Sequence, residues 1–103
     1  MTLDRTIRAL SDPTRREILR ALRAGDLTAG DLAARFPITA ASVSHHLGVL
    51  KEAELVQAER DGRTIVYSLN STVLQEFIGE LLRFFDAGAA DPDDGGGAGR
   101  GGS

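Results

Sequence analysis

The sequence predicts a mainly α-helical domain with one small β-hairpin. Apolar residues recur at helical spacing in five segments, and a capping or turn-forming residue stands before most of them. Two short strand-like stretches flank Asp61-Gly62, which is a strong signal for a hairpin turn. The predicted order is therefore four helices, a hairpin and a final helix (α-α-α-α-β-β-α).

The first two helices are separated by Ser11-Asp12-Pro13. Leu3, Ile7 and Leu10 repeat at helical spacing and form the first helix. A capping side chain followed by proline at the first helical position then begins the second helix. Gly25 is predicted to end that helix in the left-handed conformation.

The third and fourth helices each begin at a threonine. Thr28 with Asp31 three residues later resembles a capping box and opens the third helix, which Pro37 stops. Thr39 caps the fourth helix, which is predicted to run to about Glu54. These signals place two short helices in tandem, joined by a tight turn.

The hairpin and the last helix complete the domain. Strands are predicted over 55–60 and 64–69, and the last helix over about 72–85. Three helices, the last two joined by a tight turn, followed by a hairpin with a glycine at its tip, are the order of a winged helix-turn-helix.

Residues 1–87 are predicted to form this single domain, and residues 88–103 a disordered Gly/Asp-rich tail. Residues 1–85 contain 11 Lys or Arg and 11 Asp or Glu, so the predicted domain is neutral. Four Asp and one Arg in 86–103 carry the whole net charge of −3. Any affinity for nucleic acid must therefore come from the placement of the arginines.

Composition excludes several classes of site. The chain has no cysteine, which excludes disulfides and thiolate metal sites. It has no apolar run long enough to span a bilayer, no apolar leader, no Gly-rich phosphate loop and no nucleophile with a base and an orienting carboxylate beside it in sequence. We expect a cytoplasmic protein that is not an enzyme, has no cofactor or metal and does not bind membranes.

The fourth helix has two unlike sides. An apolar side carries Val43, Leu47 and Leu50, and the opposite side consists mostly of small residues and short hydrogen-bonding residues. Such a side suits a helix in the major groove, where bulky side chains would hold the backbone away from the bases. The helix N-terminus can also meet a phosphate, with Thr39 placed to donate. The candidate DNA-binding residues are Thr39, Ala40, Ala41, Ser44, His45, Arg60 and Arg63.

Four segments of the chain resemble the ArsR family of repressors. They are the segments 9–19 (ALSDPTRREIL), 42–50 (SVSHHLGVL), 55–56 (LV) and 62–69, from Gly-Arg to Tyr-Ser-Leu. The resemblance spans about residues 3–85 and is greatest to family members that repress their own genes without sensing metal. It implies dimerisation through the first and last helices, a recognition helix at 40–52, a wing with an arginine at its tip and a DNA-contacting serine at Ser44.

Several of these residues also have a purely structural interpretation. His46 is either packed or hydrogen-bonded at the edge of the core, or a metal ligand, although adjacent histidines on a helix cannot chelate one ion together. Ser44 and His45 are either base contacts or solvated residues. Arg60 and Arg63 either reach DNA or protect the edge of the hairpin. The pair 15–16, both arginines, has either a functional role or a structural ion pair.

The last helix is more apolar than a monomer of this size requires. Two neighbouring strips cover about half of it, and the second strip needs a partner unless both belong to one broad core stripe. The predicted dimerisation residues are Leu3, Ile7, Leu74, Phe77, Ile78, Leu81, Leu82, Phe84 and Phe85.

Together these observations predict a homodimeric repressor that binds an imperfect palindrome in double-stranded DNA, with repression of its own gene as the simplest control. The alternatives to control by concentration alone are release from DNA by a small molecule or by a partner protein. The alternative is a winged-helix module for protein contacts, which the neutral charge of the domain favours.

Overall fold

Five helices and a three-stranded antiparallel sheet make up the part of the chain that the structure, a computed structural model, describes, residues 3–88. The helices are α1 (Leu3–Leu10), α2 (Pro13–Ala24), α3 (Ala29–Arg35), α4 (Ala40–Glu52) and α5 (Ser71–Gly88). The strands are β1 (Leu27–Thr28), β2 (Val56–Asp61) and β3 (Thr64–Leu69). The predicted tail lies outside the described residues, except for Gly88 at the end of α5.

The predicted helix starts are confirmed by their caps. The Asp12 carboxylate accepts a hydrogen bond from the backbone N–H of Arg15, the third residue of α2, at 3.0 Å. Thr28 and Asp31 form a reciprocal capping box, with both bonds at 3.0 Å. The Thr39 hydroxyl accepts from the third N–H of α4 at 3.0 Å, and Asn70 caps α5 in the same way at 3.3 Å. Each cap satisfies a backbone donor that the helix itself leaves without a partner.

The predicted left-handed end of α2 is wrong. Gly25 has φ 163° and ψ 161°, an extended conformation, and its N–H donates to the Leu22 carbonyl at 3.1 Å. The chain must extend here because β1 begins two residues later, at Leu27.

The fourth helix is two residues shorter than predicted. It ends at Glu52, and Glu54 adopts the left-handed conformation with φ 63°. The Glu54 N–H donates to the Lys51 carbonyl at 2.9 Å, and the Leu55 N–H donates to the Leu50 carbonyl at 3.0 Å. These two bonds form a Schellman motif, so a glutamate occupies a position that usually holds glycine.

The sheet has the strand order β1-β3-β2. β1, which is too short to show alternation in the sequence, was not predicted; its Leu27 pairs with Tyr67 of β3. In the hairpin the last pair is Asp61 with Thr64, so the turn is Gly62-Arg63 and not the predicted Asp61-Gly62. Gly62 has φ +67°, the conformation that the first turn residue of such hairpins requires.

One apolar core holds these elements together. The largest fully buried apolar side chains come from α2, α3, α4 and the segment after α4: Ile18, Leu32, Val43, Leu47, Leu50 and Leu55. Because α4 supplies three of them, its axis is fixed against the rest of the domain. Among residues 3–88, no helix is both long enough and apolar enough to cross a bilayer.

Candidate nucleic-acid interface

One face of the fourth helix is buried in the core and the opposite face is exposed. Val43, Leu47 and Leu50 are each at most 1% exposed. Ser44 and His45, one and two residues beyond Val43, are exposed. The 3.6-residue period of the helix produces this division, since Val43, Leu47 and Leu50 recur on one side.

The exposed face of α4 consists mostly of small residues near its N-terminus. Thr39, Ala40, Ala41, Ser44, His45 and Gly48 are all exposed on it. A Cβ placed on Gly48 would meet nothing within 4 Å, so the packing of the domain does not require glycine there. A glycine inside a helix costs about 1 kcal/mol relative to alanine. This face of small residues is thus suited to close approach by another molecule.

The wing is the part of the hairpin beyond its buried base, residues 59–65. Every residue of this segment is exposed, including Arg60 and Arg63, the two predicted DNA contacts. Glu59 and Asp61 alternate with these arginines, so the tip is mixed in charge. The structure places Arg63 in the turn itself and Arg60 opposite Ile65.

Comparison with known proteins identifies the family. A family model described as a helix-turn-helix domain matches residues 10–57. The transcriptional repressor SdpR of Bacillus subtilis is 49% identical over 89 residues, which are 86% of this chain and 99% of SdpR. The chain belongs to the ArsR family of winged helix-turn-helix transcriptional repressors. It is a DNA-binding repressor.

Further relatives agree with this assignment. The arsenical resistance operon repressor of Staphylococcus aureus is 38% identical over 79 residues, 77% of this chain and 76% of that protein. A solved ArsR-like transcriptional regulator from Rhodococcus sp. RHA1 superposes with a TM-score of 0.80 at 32% identity. The superposition covers 86% of this chain and 84% of that one, so the likeness extends beyond the helix-turn-helix to the wing or α5.

Within this family fold, His46 lies at the edge between the buried and the exposed face of α4. Its side chain is 13% exposed, and Arg15 Nη1 lies 3.2 Å from its Nδ1. Asp12 Oδ2 lies 3.9 Å from the same nitrogen. Hydrogen bonding at the edge of the core, one of the two interpretations of His46, is therefore what the structure shows. Residues 3–88 contain no group of three side chains that could hold a metal ion.

The arginine pair that opens α2 has a role that the sequence did not reveal. Arg15 Nε donates to the Ala9 carbonyl at 2.7 Å and Nη2 to the Arg8 carbonyl at 3.1 Å. Arg16 Nη1 donates to the Leu10 carbonyl at 2.8 Å. Of the two interpretations of this pair, the structural ion pair is not found among residues 3–88, since both arginines donate to carbonyls in the last turn of α1 instead. The only signal in the sequence is their position, because cations at a helix start oppose its dipole.

A patch of exposed apolar side chains lies on α1 and α5. Between residues 3 and 88, six large apolar side chains are exposed, and one of them, Ile65, lies on the wing. The other five form the apolar patch: Ile7, Ile78, Leu82, Phe84 and Phe85. Among the other predicted dimerisation residues, Leu74 packs against the core. Leu3 and Phe77 line a cavity of about 420 Å³ between α1 and α5. Leu81 is half-buried.

Proposed function

We propose that the repressor acts as a homodimer whose two copies of α4 enter successive major grooves of a two-fold symmetric operator. Half-sites would then lie about one helical turn, roughly 10 base pairs, apart or at a multiple of this spacing. A dimer bound across a promoter blocks polymerase, and repression of its own gene is the simplest circuit, since concentration alone controls it.

The observation that carries this proposal is the exposed face of α4. Ser44 and His45 stand on it among residues with little or no side chain, so both can reach base edges while the backbone lies close to the groove. Thr39 uses its oxygen as an acceptor within the cap, which leaves its hydroxyl hydrogen available for a phosphate. On this basis Thr39, Ala40, Ala41, Ser44 and His45 form the reading surface.

The wing supplies charge beside this surface. Arg63 in the turn and Arg60 on β2 are exposed, and neither forms an ion pair among residues 3–88. We assign Arg63 to a phosphate or minor-groove contact next to the helix and Arg60 to a weaker contact of the same kind.

The homodimer is supported by the exposed apolar patch of α1 and α5. Phe84 and Phe85 are 61% and 63% exposed, and Leu82 is 61% exposed. Monomeric proteins seldom leave several such side chains together in water. A second copy of the chain, joined about a two-fold axis, covers this patch with the same patch.

The test of the dimer is Ile78→Glu, with Ile65→Glu as the matched control. The two isoleucines have similar exposure, 48% and 38%, but Ile78 lies in the patch and Ile65 on the wing. We expect Ile78→Glu to give monomers in light scattering at micromolar concentration and to lose specific DNA binding, while Ile65→Glu stays dimeric. A monomeric unaltered protein would contradict the proposal.

A second candidate function is a winged-helix module that contacts proteins rather than a specific DNA sequence, which the balanced charge of residues 1–85 favours. Gel-shift measurements on the promoter of its own gene, with and without competitor DNA, separate the two. Sequence-specific retention supports the repressor, and equal displacement by any competitor supports the module.

A further inference from the structure

The Arg15 guanidinium joins three helices. Two of its nitrogens bond the carbonyls of Arg8 and Ala9 at the end of α1, and the third faces His46 of α4. A second link between α1 and α4 runs from Arg5 Nη1 to the Glu52 carbonyl at 3.3 Å. The recognition helix is thus held to α1 at two positions. His46, near the middle of α4, is linked through Arg15, and Glu52, at the end of α4, is bonded directly by Arg5.

The guanidinium of Arg15 determines which ring nitrogen of His46 carries the proton. Every nitrogen of a guanidinium carries protons to donate and none can accept, so Nδ1 of His46 must be the acceptor and Nε2 must carry the ring proton. Asp12 Oδ2, at 3.9 Å, is too far from Nδ1 for a hydrogen bond. The Arg15 backbone N–H lowers the pKa of Asp12, so this carboxylate remains charged beside the ring.

We propose that Arg15 is a positioning residue for DNA recognition: through His46 it fixes α4 to the C-terminal end of α1, and this link is lost when His46 gains a proton at Nδ1. The inference rests on the proposed function, in which α4 reads bases and α1 lies in the dimer interface.

The position of His46 makes the link effective. It directly follows His45, a predicted reading residue, and lies at the edge between the buried and exposed faces of α4. Base readout requires side chains held within about 0.5 Å and 10–20° of the productive geometry. A bond at this edge restrains rotation of α4 about its axis, which the apolar contacts of Val43, Leu47 and Leu50 restrain less directionally. α1 also carries Ile7 of the apolar patch. The position of α1 in the dimer therefore determines, through Arg15, the orientation of the exposed face of α4.

Protonation of His46 would reverse its contacts. The ring faces Arg15 and Asp12 from the start of α2 and His45 from its own helix, with the two histidine ring centroids 5.7 Å apart. The end of α1 contributes the Arg8 and Ala9 carbonyls that Arg15 bonds. A proton on Nδ1 removes the acceptor for Arg15, places like charges together and turns the ring toward the Asp12 carboxylate. The reading helix then loses its tie to α1.

Binding measurements on four variants test the proposal. The DNA is a duplex that the unaltered protein selects from a random-sequence pool, compared with random duplex of equal length. Arg15→Gln and His46→Leu should each lower the ratio of specific to random affinity by about tenfold or more, since discrimination by a base-reading group is worth that much. Arg16→Gln is the matched control, because it removes a cap from α1 without touching α4, and it should change the ratio less than about threefold. Light scattering checks that all variants remain dimers.

The conservative variant His46→Asn distinguishes positioning from general stability. An asparagine oxygen can accept from Arg15 as Nδ1 does, but it has no ring nitrogen that takes up a proton. His46→Asn should therefore keep the ratio of specific to random affinity and hold it constant on acidification, whereas the unaltered protein should lose specificity under acid conditions that protonate the His46 ring.

The tautomer provides a measurement without DNA. Nitrogen-15 NMR of the imidazoles should show His46 protonated at Nε2 in the unaltered protein and in Arg16→Gln, with this preference lost in Arg15→Gln. A ring protonated at Nδ1 in the unaltered protein overturns the inference, as does an equal loss of specificity in Arg15→Gln and Arg16→Gln. If no duplex is selected, the proposed function fails, and the NMR result still decides whether Arg15 fixes His46.

Discussion

Helix α4 and the wing, the two parts of this repressor that we propose contact DNA, are held in opposite ways. The helix is anchored by fully buried side chains and closed at both ends, by the Thr39 cap and by the Schellman motif at Glu54. The wing has no buried side chain beyond its base, and only the backbone ladder between β2 and β3 holds it.

This difference matches the accuracy that each contact requires. Base edges are distinguished by hydrogen bonds whose geometry allows little displacement, so a reading residue belongs on a rigid element. A phosphate accepts a positive charge from many directions, so an arginine on an exposed tip that only the backbone ladder holds loses little. We therefore expect specificity to depend on α4 and nonspecific affinity on the wing.

The largest expected effect is on stability. Leu47→Ala should lower the free energy of unfolding by about 2–5 kcal/mol, because it leaves a cavity in the core beneath α4. Ile65→Ala on the wing should cost less than about 1 kcal/mol, since the side chain is already 38% exposed. Urea unfolding at constant m value measures both. Equal losses would mean that the wing is as firmly packed as the helix.

The next effect separates reading from charge. Ser44→Ala and His45→Ala should each cost about 1–3 kcal/mol on operator DNA and little on random DNA. Arg63→Ala should weaken both equally and lower the slope of log affinity against log salt by about one. Arg23→Ala, an exposed arginine in neither element, is the control for net charge. If His45→Ala weakens both duplexes equally, His45 is a phosphate contact.

Two glycines test the backbone of each region. Gly48 and Gly62 both have open space where a Cβ would stand, but only Gly62 has a positive φ. Gly48→Ala should therefore stabilise the fold by about 1 kcal/mol through helix propensity. Gly62→Ala should destabilise it by about 1–2 kcal/mol because alanine is strained in that conformation. In thermal unfolding, the midpoint temperature should rise for Gly48→Ala and fall for Gly62→Ala. A fall for Gly48→Ala would reveal a packing role for that glycine.

The smallest effect concerns pH. Bonds from the backbone and side chain of Thr28 lower the pKa of Asp31, so its capping box stabilises the fold above the unfolded pKa of about 3.9 and loses this contribution as pH falls through the lower folded value. Thr39, which caps α4, does not titrate. Asp31→Asn should flatten the dependence of the thermal midpoint on pH below about 4, whereas Thr39→Ala should lower the midpoint equally at every pH. Parallel curves for Asp31→Asn and the unaltered protein would exclude this role of Asp31.

Local signals predicted most of this architecture. The caps at Asp12, Thr28 and Thr39 and the apolar spacing of α4 depend on residues close in sequence, so they could be read directly. The exposed patch on α5 followed from the same periodicity, because more apolar strips were present than one core can cover.

The features that sequence did not predict depend on distant partners. β1 exists because Leu27 meets Tyr67, and this pairing also extends the chain at Gly25. Glu54 takes a conformation typical of glycine because Leu55 must turn back into the core. The role of Arg15 requires the end of α1 and His46 to meet at one point, which no spacing in the sequence specifies.

The strand order β1-β3-β2 has a consequence for solubility. β2 is paired only with β3, so its other edge presents backbone groups that a strand from another molecule could bind. Glu59, Arg60 and Asp61 occupy the exposed end of that strand, and consecutive charges discourage such pairing. Arg60 therefore has value even without DNA, since it helps to keep the wings of neighbouring molecules from joining into one sheet and aggregating.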